Sequence, residues 1–245
     1  MGWRDRPGLF RIGIDHGRPR SRMKICVITP YYKTPLDWLT TCHRSVLAQT
    51  VPATHLWVCD GSEPAEIPDF HGGHVILRRN YADYGNTPRL IGCYHAAQLG
   101  AVDVIAFLDA DNWYYPNHLA GMIAHMEAHG LGACSSARML HRLDGSPMLR
   151  CPHVDGVNMI DGNCLVVMRS AFAHLVAWTL PSNEEIGLGD QLVWHYLRRA
   201  GVRTGFLDMA TVAYRTRHRI HYELAGEEAP PEAVRRTDTR GGRYE

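Results

Sequence analysis

The sequence predicts an α/β domain whose mostly parallel central sheet is covered by helices on both faces. Apolar segments of strand length alternate with segments of helical spacing, and the connections between them are short. Residues 104–108 form a continuous apolar run that is followed at once by two aspartates, Asp109 and Asp111. Continuous apolar strands belong to sheets that are buried on both faces. Such sheets bind ligands beyond the carboxyl ends of their strands, so we expect a site at this edge.

The first half of the chain alternates regularly between strands and helices. Strands are expected at 24–29, 55–59, 75–77 and 104–108, and helices at 36–49, 88–99 and 117–129. Neither Gly-x-Gly-x-x-Gly nor a phosphate-loop lysine motif follows the first strand. A dinucleotide or ATP site of those types is therefore not expected.

The second half is less regular. Strands are expected at 133–140, 163–168 and 202–207, and helices at 170–178 and 189–201, the last one ending at a glycine. Residues 1–22 are polar and rich in arginine, and residues 225–245 are also polar, so both are predicted to be flexible extensions. These limits leave one domain at 23–224.

Composition narrows the classes of function. Hydrophobic residues make up 45% of the chain, and 26 basic residues against 25 acidic ones give a formal charge of +1. No nucleic-acid partner is expected, because that would require a strong basic surplus. No apolar run approaches the roughly 18 residues of a membrane span. The seven cysteines are odd in number and none has Cys-x-x-Cys spacing, which predicts a cytoplasmic protein without structural zinc.

The two aspartates after the fourth strand are the first candidate site. Carboxylates two residues apart point the same way while the backbone stays extended. Asp109 and Asp111 could therefore present a divalent cation, and through it a phosphate, at the edge of the sheet. The alternative is a helix N-cap with a surface acid beside it, since Asp111 and Asn112 are both good caps.

Six short motifs, taken in order, resemble those of the GT-A nucleotide-sugar glycosyltransferases, particularly family 2, which includes bacterial spore-coat and surface-polysaccharide enzymes. The resemblance covers roughly residues 23–224 and implies a single GT-A domain with a Rossmann-like sheet. The motifs are Val-Ile-Thr-Pro-Tyr-Tyr-Lys at 27–33, Ser-Val-Leu-Ala-Gln-Thr at 45–50, Cys-Asp-Gly-Ser at 59–62, Leu-Asp-Ala-Asp-Asn at 108–112, Ile-Asp-Gly-Asn-Cys at 160–164 and Ile-Gly-Leu-Gly-Asp at 186–190.

The resemblance implies a nucleotide-sugar donor, with uridine as the default base. Pro30 and Tyr32 match the segment that packs on the base, and Asp60 matches the acid that accepts a hydrogen bond from it. Arg89 matches a basic residue that faces the phosphates or the sugar, and Asp109 would contact the ribose, the cation or its water. The alternatives are a loop aromatic for Tyr32, an Asp-Gly turn for Asp60 and a surface position for Arg89.

The family's chemistry also implies a divalent cation, Mn²⁺ or Mg²⁺, that offsets the charge of the departing diphosphate. Both ions prefer oxygen ligands, and Asp111 is the first expected ligand. Residues 214–221 resemble the family's closing segment, in which a histidine often reaches the metal or the diphosphate. His218 and His221 both qualify. The alternative is a solvated basic stretch.

Asp190 matches the family's general base, which accepts the proton of the attacking acceptor hydroxyl. The usual acidic pair is reduced here to Gly189-Asp190, and an ordinary helix N-cap is the alternative. Asp161 matches an acid beside the sugar pocket. Glu185, with Glu184, is a further candidate at the sugar or acceptor.

The sequence therefore predicts a metal-dependent, inverting glycosyltransferase acting on a glycan, lipid-linked or small-molecule acceptor. A sugar-phosphate nucleotidyltransferase is one alternative, although it needs a glycine-rich and basic phosphate loop that residues 30–33 do not provide. A non-catalytic module that binds nucleotide sugars or glycans is the other, motivated by the missing second acid before Asp190.

Overall fold

A computed structural model describes residues 23–67, 70, 72–98 and 102–234 of the chain. The arginine-rich residues 1–22 and the last residues, 235–245, lie outside the described part. Their flexibility therefore stays a prediction. Within the described part, the chain forms one nine-stranded sheet with helices packed against it.

The seven strands predicted from the sequence are all present, and two short strands and one helix were not predicted. The strands are β1 (Ile25–Tyr31), β2 (Ala53–Cys59), β3 (Gly73–Ile76), β4 (Val104–Phe107), β5 (Trp113–Tyr114), β6 (Ala133–His141), β7 (Pro147–Arg150), β8 (Leu165–Met168) and β9 (Thr204–Arg215). The α-helices are α1 (Leu36–Leu47), α2 (Asn86–Gln98), α3 (His118–His129), α4 (Gly189–Arg199) and α5 (Arg219–Leu224). Stretches of 3₁₀ helix cover Gly162–Cys164, Arg169–Thr179 and Ile186–Leu188. The segment predicted as a helix at 170–178 is thus 3₁₀ in form.

The sheet has a parallel half and a mixed half. Its strand order is β3-β2-β1-β4-β8-β6-β9-β5, with β7 paired to β6. Strands β3, β2, β1 and β4 run parallel, whereas β8 is antiparallel to both β4 and β6. An antiparallel neighbour starts where its partner ends. The segment that leads into β8 therefore lies at the carboxyl end of β4, the edge where the sequence predicts the site.

The core lies on both faces of the sheet, as a continuous apolar strand requires. Along β4, Val104 and Ala106 pack into one apolar cluster, whereas Ile105 and Phe107 pack into the other, and all four are fully buried. Helices α1 and α3 cover the first face. Helices α2 and α4 and the 3₁₀ helix at 169–179 cover the second. This double covering confirms the predicted fold class.

The chain continues to pack against the domain beyond α5. The backbone N–H of Val234 donates to the carbonyl of Arg217 at 2.7 Å, and the N–H of Arg219 donates to the carbonyl of Val234 at 3.0 Å. Glu227 forms an ion pair with Arg142. The packed domain therefore extends past the expected boundary at residue 224. None of the helices in the described residues has both the length and the apolar character needed to cross a membrane.

Candidate active site

Two cavities meet at the carboxyl edge of the sheet. The larger has a volume of about 1190 Å³ and the smaller about 560 Å³. Five residues line both of them: Tyr84, Arg89, Asp109, Asp111 and Arg217. The two predicted acids therefore stand at the junction, where one ligand could contact them while occupying both cavities. The smaller volume lies within the range usual for small-molecule sites, about 300–1,000 Å³, and the larger slightly exceeds it.

Asp109 is held firmly by its neighbours. Arg89 in α2 forms an ion pair with one carboxylate oxygen, and the side-chain amide of Asn163 donates to the other at 2.9 Å. Arg89 is only 6% exposed, and its guanidinium lies over the ring of Trp178 at 5.1 Å. The alternative of a surface position for Arg89 is thus not what the structure shows. Arg89 also lines both cavities, so its charge lies at the junction beside that of Asp109.

Asn163 links Asp109 to a second buried acid, Asp161. Its Nδ2 donates to Asp161 Oδ1 at 2.7 Å as well as to Asp109, while its Oδ1 accepts from the backbone N–H of Asp109 at 2.6 Å. Asp161 in turn forms an ion pair with Arg138, which lies over the ring of Tyr214 at 3.9 Å. Asp161 lines the larger cavity. These bonds fix the side chains of the two acids relative to each other.

Asn163 and Arg138 were missed by sequence reasoning. Arg138 carried a usable signal, because an arginine inside the apolar strand 133–140 must be buried with a partner. Asn163 carried no comparable signal, since its role depends on the antiparallel placement of β8 beside β4.

Asp190 lies in the first turn of α4, opposite the turn that carries Asp161. Its Oδ2 accepts from the backbone N–H of Gly162 at 3.1 Å, and its Oδ1 accepts from the N–H of Gln191 at 2.8 Å. The residue at the N-cap is Leu188, so the alternative of an ordinary N-cap for Asp190 does not hold. Burial raises the pKa of Asp190, and this effect outweighs the hydrogen bonds from the backbone and the attraction of Arg89.

A glycine is needed directly before Asp190. A Cβ on Gly189 would lie 2.1 Å from Oδ1 of Asn86. Asn86 is 4% exposed and its Nδ2 donates to the carbonyl of Ile186 at 2.9 Å, which ties α2 to the start of α4. Gly189 therefore permits the close approach that places Asp190 at the larger cavity.

The carboxyl group of Asp111, at the junction of the two cavities, has a raised pKa. Burial, together with the nearby charge of Asp109, raises the pKa of Asp111 to about 6, while Arg217 and Arg215 act in the opposite direction. The carboxylates of Asp109 and Asp111 repel each other, and a bound cation would relieve that repulsion. His218 lines the same larger cavity as Asp111. One carboxylate and one imidazole fit a Mg²⁺ or Mn²⁺ ion, which takes its remaining ligands from phosphates and water.

Arg215, at the end of β9, is the least satisfied cation of the site. It is 7% exposed, and its Nε and Nη1 have no hydrogen-bond partner among the described residues. The guanidinium lies over the rings of Trp38 at 4.4 Å and Trp113 at 5.3 Å. Burial lowers the pKa of Arg215. Such a buried donor group facing a cavity is suited to an anionic ligand, because desolvation without a partner is costly.

The smaller cavity contains the residues predicted to bind the base. Pro30, Tyr32 and Asp60 all line it. Tyr32 is 42% exposed, while Asp60 is 6% exposed and its Oδ1 accepts from the backbone N–H of Tyr81 at 3.1 Å. Burial raises the pKa of Asp60. The exposed ring of Tyr32 can stack on a base, and the buried carboxylate of Asp60 can accept a hydrogen bond from an N–H group of that base.

Of the remaining predicted site residues, the two histidines line the larger cavity and Glu185 does not. His218 and His221 both line the larger cavity, with ring centroids 5.5 Å apart. Glu185 does not belong to the lining, although the next residue, Ile186, does. Its exposed carboxylate accepts from the hydroxyl of Ser182 at 2.9 Å. A role for Glu185 at the sugar or acceptor stays a prediction.

The curled mixed sheet and the acids at the end of β4 define a GT-A domain of the nucleotide-sugar glycosyltransferase class. The sequence model of glycosyl transferase family 2 matches residues 26–161, more than half of the chain. The chain belongs to this family. Comparison with curated protein sequences gives no significant match.

Solved structures of TarS from S. aureus share the fold. Its fragment 1–349 has 18% sequence identity and a TM-score of 0.58, over 82% of this chain and 63% of that one. The same fragment in complex with UDP-GlcNAc gives 17% identity and a TM-score of 0.58, over 79% and 59%. Its complex with UDP gives 17% and 0.55, over 82% and 63%. The chain thus spans less than two thirds of these fragments, and at such identities the likeness shows the fold alone.

Proposed function

We propose that this chain is a metal-dependent, inverting glycosyltransferase that moves a sugar from a nucleoside-diphosphate sugar to an acceptor hydroxyl. The family supports glycosyl transfer as the class of reaction. The observation that carries the proposal is that Asp109 and Asp111 line both cavities. A donor with its nucleoside in the smaller cavity would place its diphosphate at these acids and its sugar in the larger cavity.

Each part of the donor meets suitable chemistry in this pose. Tyr32 and Pro30 offer an apolar surface to the base, and Asp60 offers an acceptor. Arg217 and the unsatisfied Arg215 offer positive charge to the diphosphate. Uridine is the default base, and the TarS complexes with UDP and UDP-GlcNAc make UDP-GlcNAc the first donor to test.

Asp111, with His218 or His221, would hold a Mn²⁺ or Mg²⁺ ion. Such an ion would act as a Lewis acid that offsets charge on the diphosphate. Asp109 is engaged by Arg89 and Asn163. Its role would therefore be to contact the ribose, the cation or a water on the cation.

Asp190 would serve as the general base. The acceptor oxygen attacks the anomeric carbon, the bond from that carbon to the diphosphate oxygen breaks, and the hydroxyl proton passes to Asp190. One displacement from the opposite face inverts the configuration. The raised pKa of Asp190 makes it a stronger base than an ordinary aspartate. Asp161 and Glu185 are the proposed contacts to sugar or acceptor hydroxyls, and the acceptor is a glycan, a lipid-linked sugar or a small molecule.

All seven cysteines are free thiols. This agrees with the cytoplasmic location that their number and spacing predict, and we retain that location as part of the proposal.

The decisive experiment measures donor binding and donor breakdown separately. We expect UDP to bind the purified chain more tightly with Mn²⁺ than without it, by calorimetry. Asp111→Asn should abolish the Mn²⁺ effect, whereas Asp208→Asn, which changes an exposed acid of a surface ion pair, should retain it.

Turnover decides between the three functions. Incubation with UDP-sugars should release UDP, and Asp190→Asn should bind UDP normally but stop the release. Release of pyrophosphate would instead indicate a nucleotidyltransferase. Binding of nucleotide sugars without any breakdown, by wild type and variant alike and with every acceptor offered, would indicate a non-catalytic module. Failure to bind any nucleoside diphosphate would overturn the proposal.

A further inference from the structure

Three side chains from two distant segments of the chain meet beside the larger cavity, and the two histidines among them line it. They are Cys151 and His153, which follow β7, and His221 in α5. The Cys151 sulfur and one ring nitrogen from each histidine all lie within 4.8 Å of one another. We propose that these three residues form a zinc site that is separate from the donor cation at Asp111. The proposal departs from the expectation of no structural zinc, because these ligands come together in the fold and not through Cys-x-x-Cys spacing.

The donor atoms decide the kind of ion. Thiolate sulfur and imidazole nitrogen suit Zn²⁺, whereas Mg²⁺ and Mn²⁺ prefer the oxygen ligands available at Asp111. Ligands bound to one zinc ion at about 2.0–2.3 Å stand roughly 3.5 Å apart. His153 is exposed, so its side chain can rotate towards the other two ligands. Three protein ligands leave a fourth position open for water or for a group in the cavity.

Two of the three ligands are already oriented by buried neighbours. His221 is 5% exposed, and its Nδ1 is hydrogen-bonded to the hydroxyl of Thr216 at 2.6 Å, a residue that is itself fully buried. A hydrogen bond on one ring nitrogen fixes the orientation of a metal-binding histidine and presents the other nitrogen to the ion. Cys151 is 2% exposed, and its backbone N–H donates to the carbonyl of Arg138 at 3.0 Å.

The neighbouring charge does not oppose an ion strongly. The guanidinium of Arg138 interacts with the Cys151 side chain, but Asp161 forms an ion pair with the same guanidinium. The positive charge nearest the sulfur is therefore offset within the site.

The site would join two segments that are far apart in the sequence. Cys151 and His153 follow β7, while His221 belongs to the region that continues to Val234 along the cavity wall. A zinc ion bound there would stabilise this wall by mass action. The assignment also divides the two candidate histidines, because it gives His221 to zinc and leaves His218 for the donor cation. It does not depend on glycosyl transfer.

Cobalt substitution tests the site through its ligands. The full chain is freed of metal with a chelator and titrated with Co²⁺, whose absorption reports thiolate coordination and tetrahedral geometry. We expect one equivalent to bind with a thiolate-to-cobalt band that Zn²⁺ abolishes. Cys151→Ser should remove the band, and Cys93→Ser, which changes another buried thiol, should retain it.

Two further variants separate the sites and guard against misfolding. His153→Ala changes an exposed residue, so it should fold normally, yet it should weaken Co²⁺ binding by at least ten-fold. It should also lose the rise in melting temperature that Zn²⁺ gives the wild type. Asp111→Asn should leave the cobalt band unchanged. Absence of a thiolate band in the wild type, or an equal band in Cys151→Ser or equal affinity in His153→Ala, would overturn the proposal without affecting the proposed function.

Discussion

Asn163 holds Asp109 by two hydrogen bonds, one in each direction. Its Nδ2 donates to Asp109 Oδ2 at 2.9 Å, and its Oδ1 accepts from the backbone N–H of Asp109 at 2.6 Å. A residue of the 3₁₀ turn that leads into the antiparallel strand β8 thereby fixes the acid that follows the parallel strand β4. This pairing joins the two halves of the sheet at the site.

Replacement of Asn163 should lower both the stability of the fold and the activity of the site. A variant that keeps the shape of the side chain but adds a negative charge should lower activity more than one that removes the side chain. Asn163→Ala should cost about 1–3 kcal/mol in the free energy of unfolding, because buried partners lose their hydrogen bonds. Asn163→Asp keeps the shape but puts a third carboxylate between Asp109 and Asp161, so it should lower donor turnover further. Urea unfolding and UDP release measure the two effects. Wild-type turnover in Asn163→Asp would contradict this account.

Arg215 should matter for the diphosphate and not for the nucleoside. Arg215→Met removes two unsatisfied buried donors, so UDP affinity should fall roughly ten-fold or more, the value of a charge-assisted hydrogen bond. The affinity for uridine should not change, since the proposed pose puts the base and ribose in the smaller cavity, which Arg215 does not line. Calorimetry with UDP and with uridine makes the comparison. Arg150→Met, a change in an exposed ion pair, is the matched control. Equal losses for both ligands would show that Arg215 acts on the fold instead.

The pH dependence of turnover should report Asp190. The base works only when deprotonated, and burial raises its pKa above the ordinary value of about 3.9. Activity should therefore rise with pH through this raised pKa and then level off, with its acid limb at a higher pH than an ordinary aspartate would give. Profiles of kcat/KM for the wild type and Asp190→Glu should both show the limb. If Asp190→Asn keeps the same limb, another group is responsible.

Stability should fall in acid because of buried His118. Its Nδ1 is hydrogen-bonded to Thr211 Oγ1 at 2.8 Å, and burial lowers the pKa of His118 from 6.5 to about 3. Between these values the unfolded chain binds a proton that the folded chain does not. His118 thus contributes stability above about pH 6.5, which is lost as the pH falls towards 3, at up to about 1.4 kcal/mol per pH unit.

Urea unfolding at pH 7.5 and pH 5 tests this dependence. His118→Asn should lose less stability between the two pH values than the wild type. Some loss should remain, because burial also lowers the pKa of His55. His129→Asn, at the exposed end of the same helix, controls for the removal of a histidine. If His118→Asn loses as much stability between pH 7.5 and pH 5 as the wild type does, groups other than His118 cause the acid sensitivity.

The parallel half of the fold and its acids could be predicted because their signals are local. The run at 104–108 is apolar at every position, and Asp109 follows without a gap, so burial on two faces and a polar strand end can be read directly. Local signals predicted a helix at 170–178 but not its 3₁₀ form, and they did not predict strands β5 and β7. Short elements depend on the partners against which they pack, and those partners lie far away in the sequence.

The sequence by itself determined that a doubly covered sheet ends in a pair of aspartates, and that a further aspartate opens a later helix. Only the tertiary structure decided how these acids are held. The ion pair of Arg89 with Asp109, the bridge of Asn163 to Asp161, and the meeting of Cys151 with His221 all join residues far apart in the chain. Hydrogen bonds and ion pairs act over a few ångströms, and no periodicity in the sequence records which distant segments come that close.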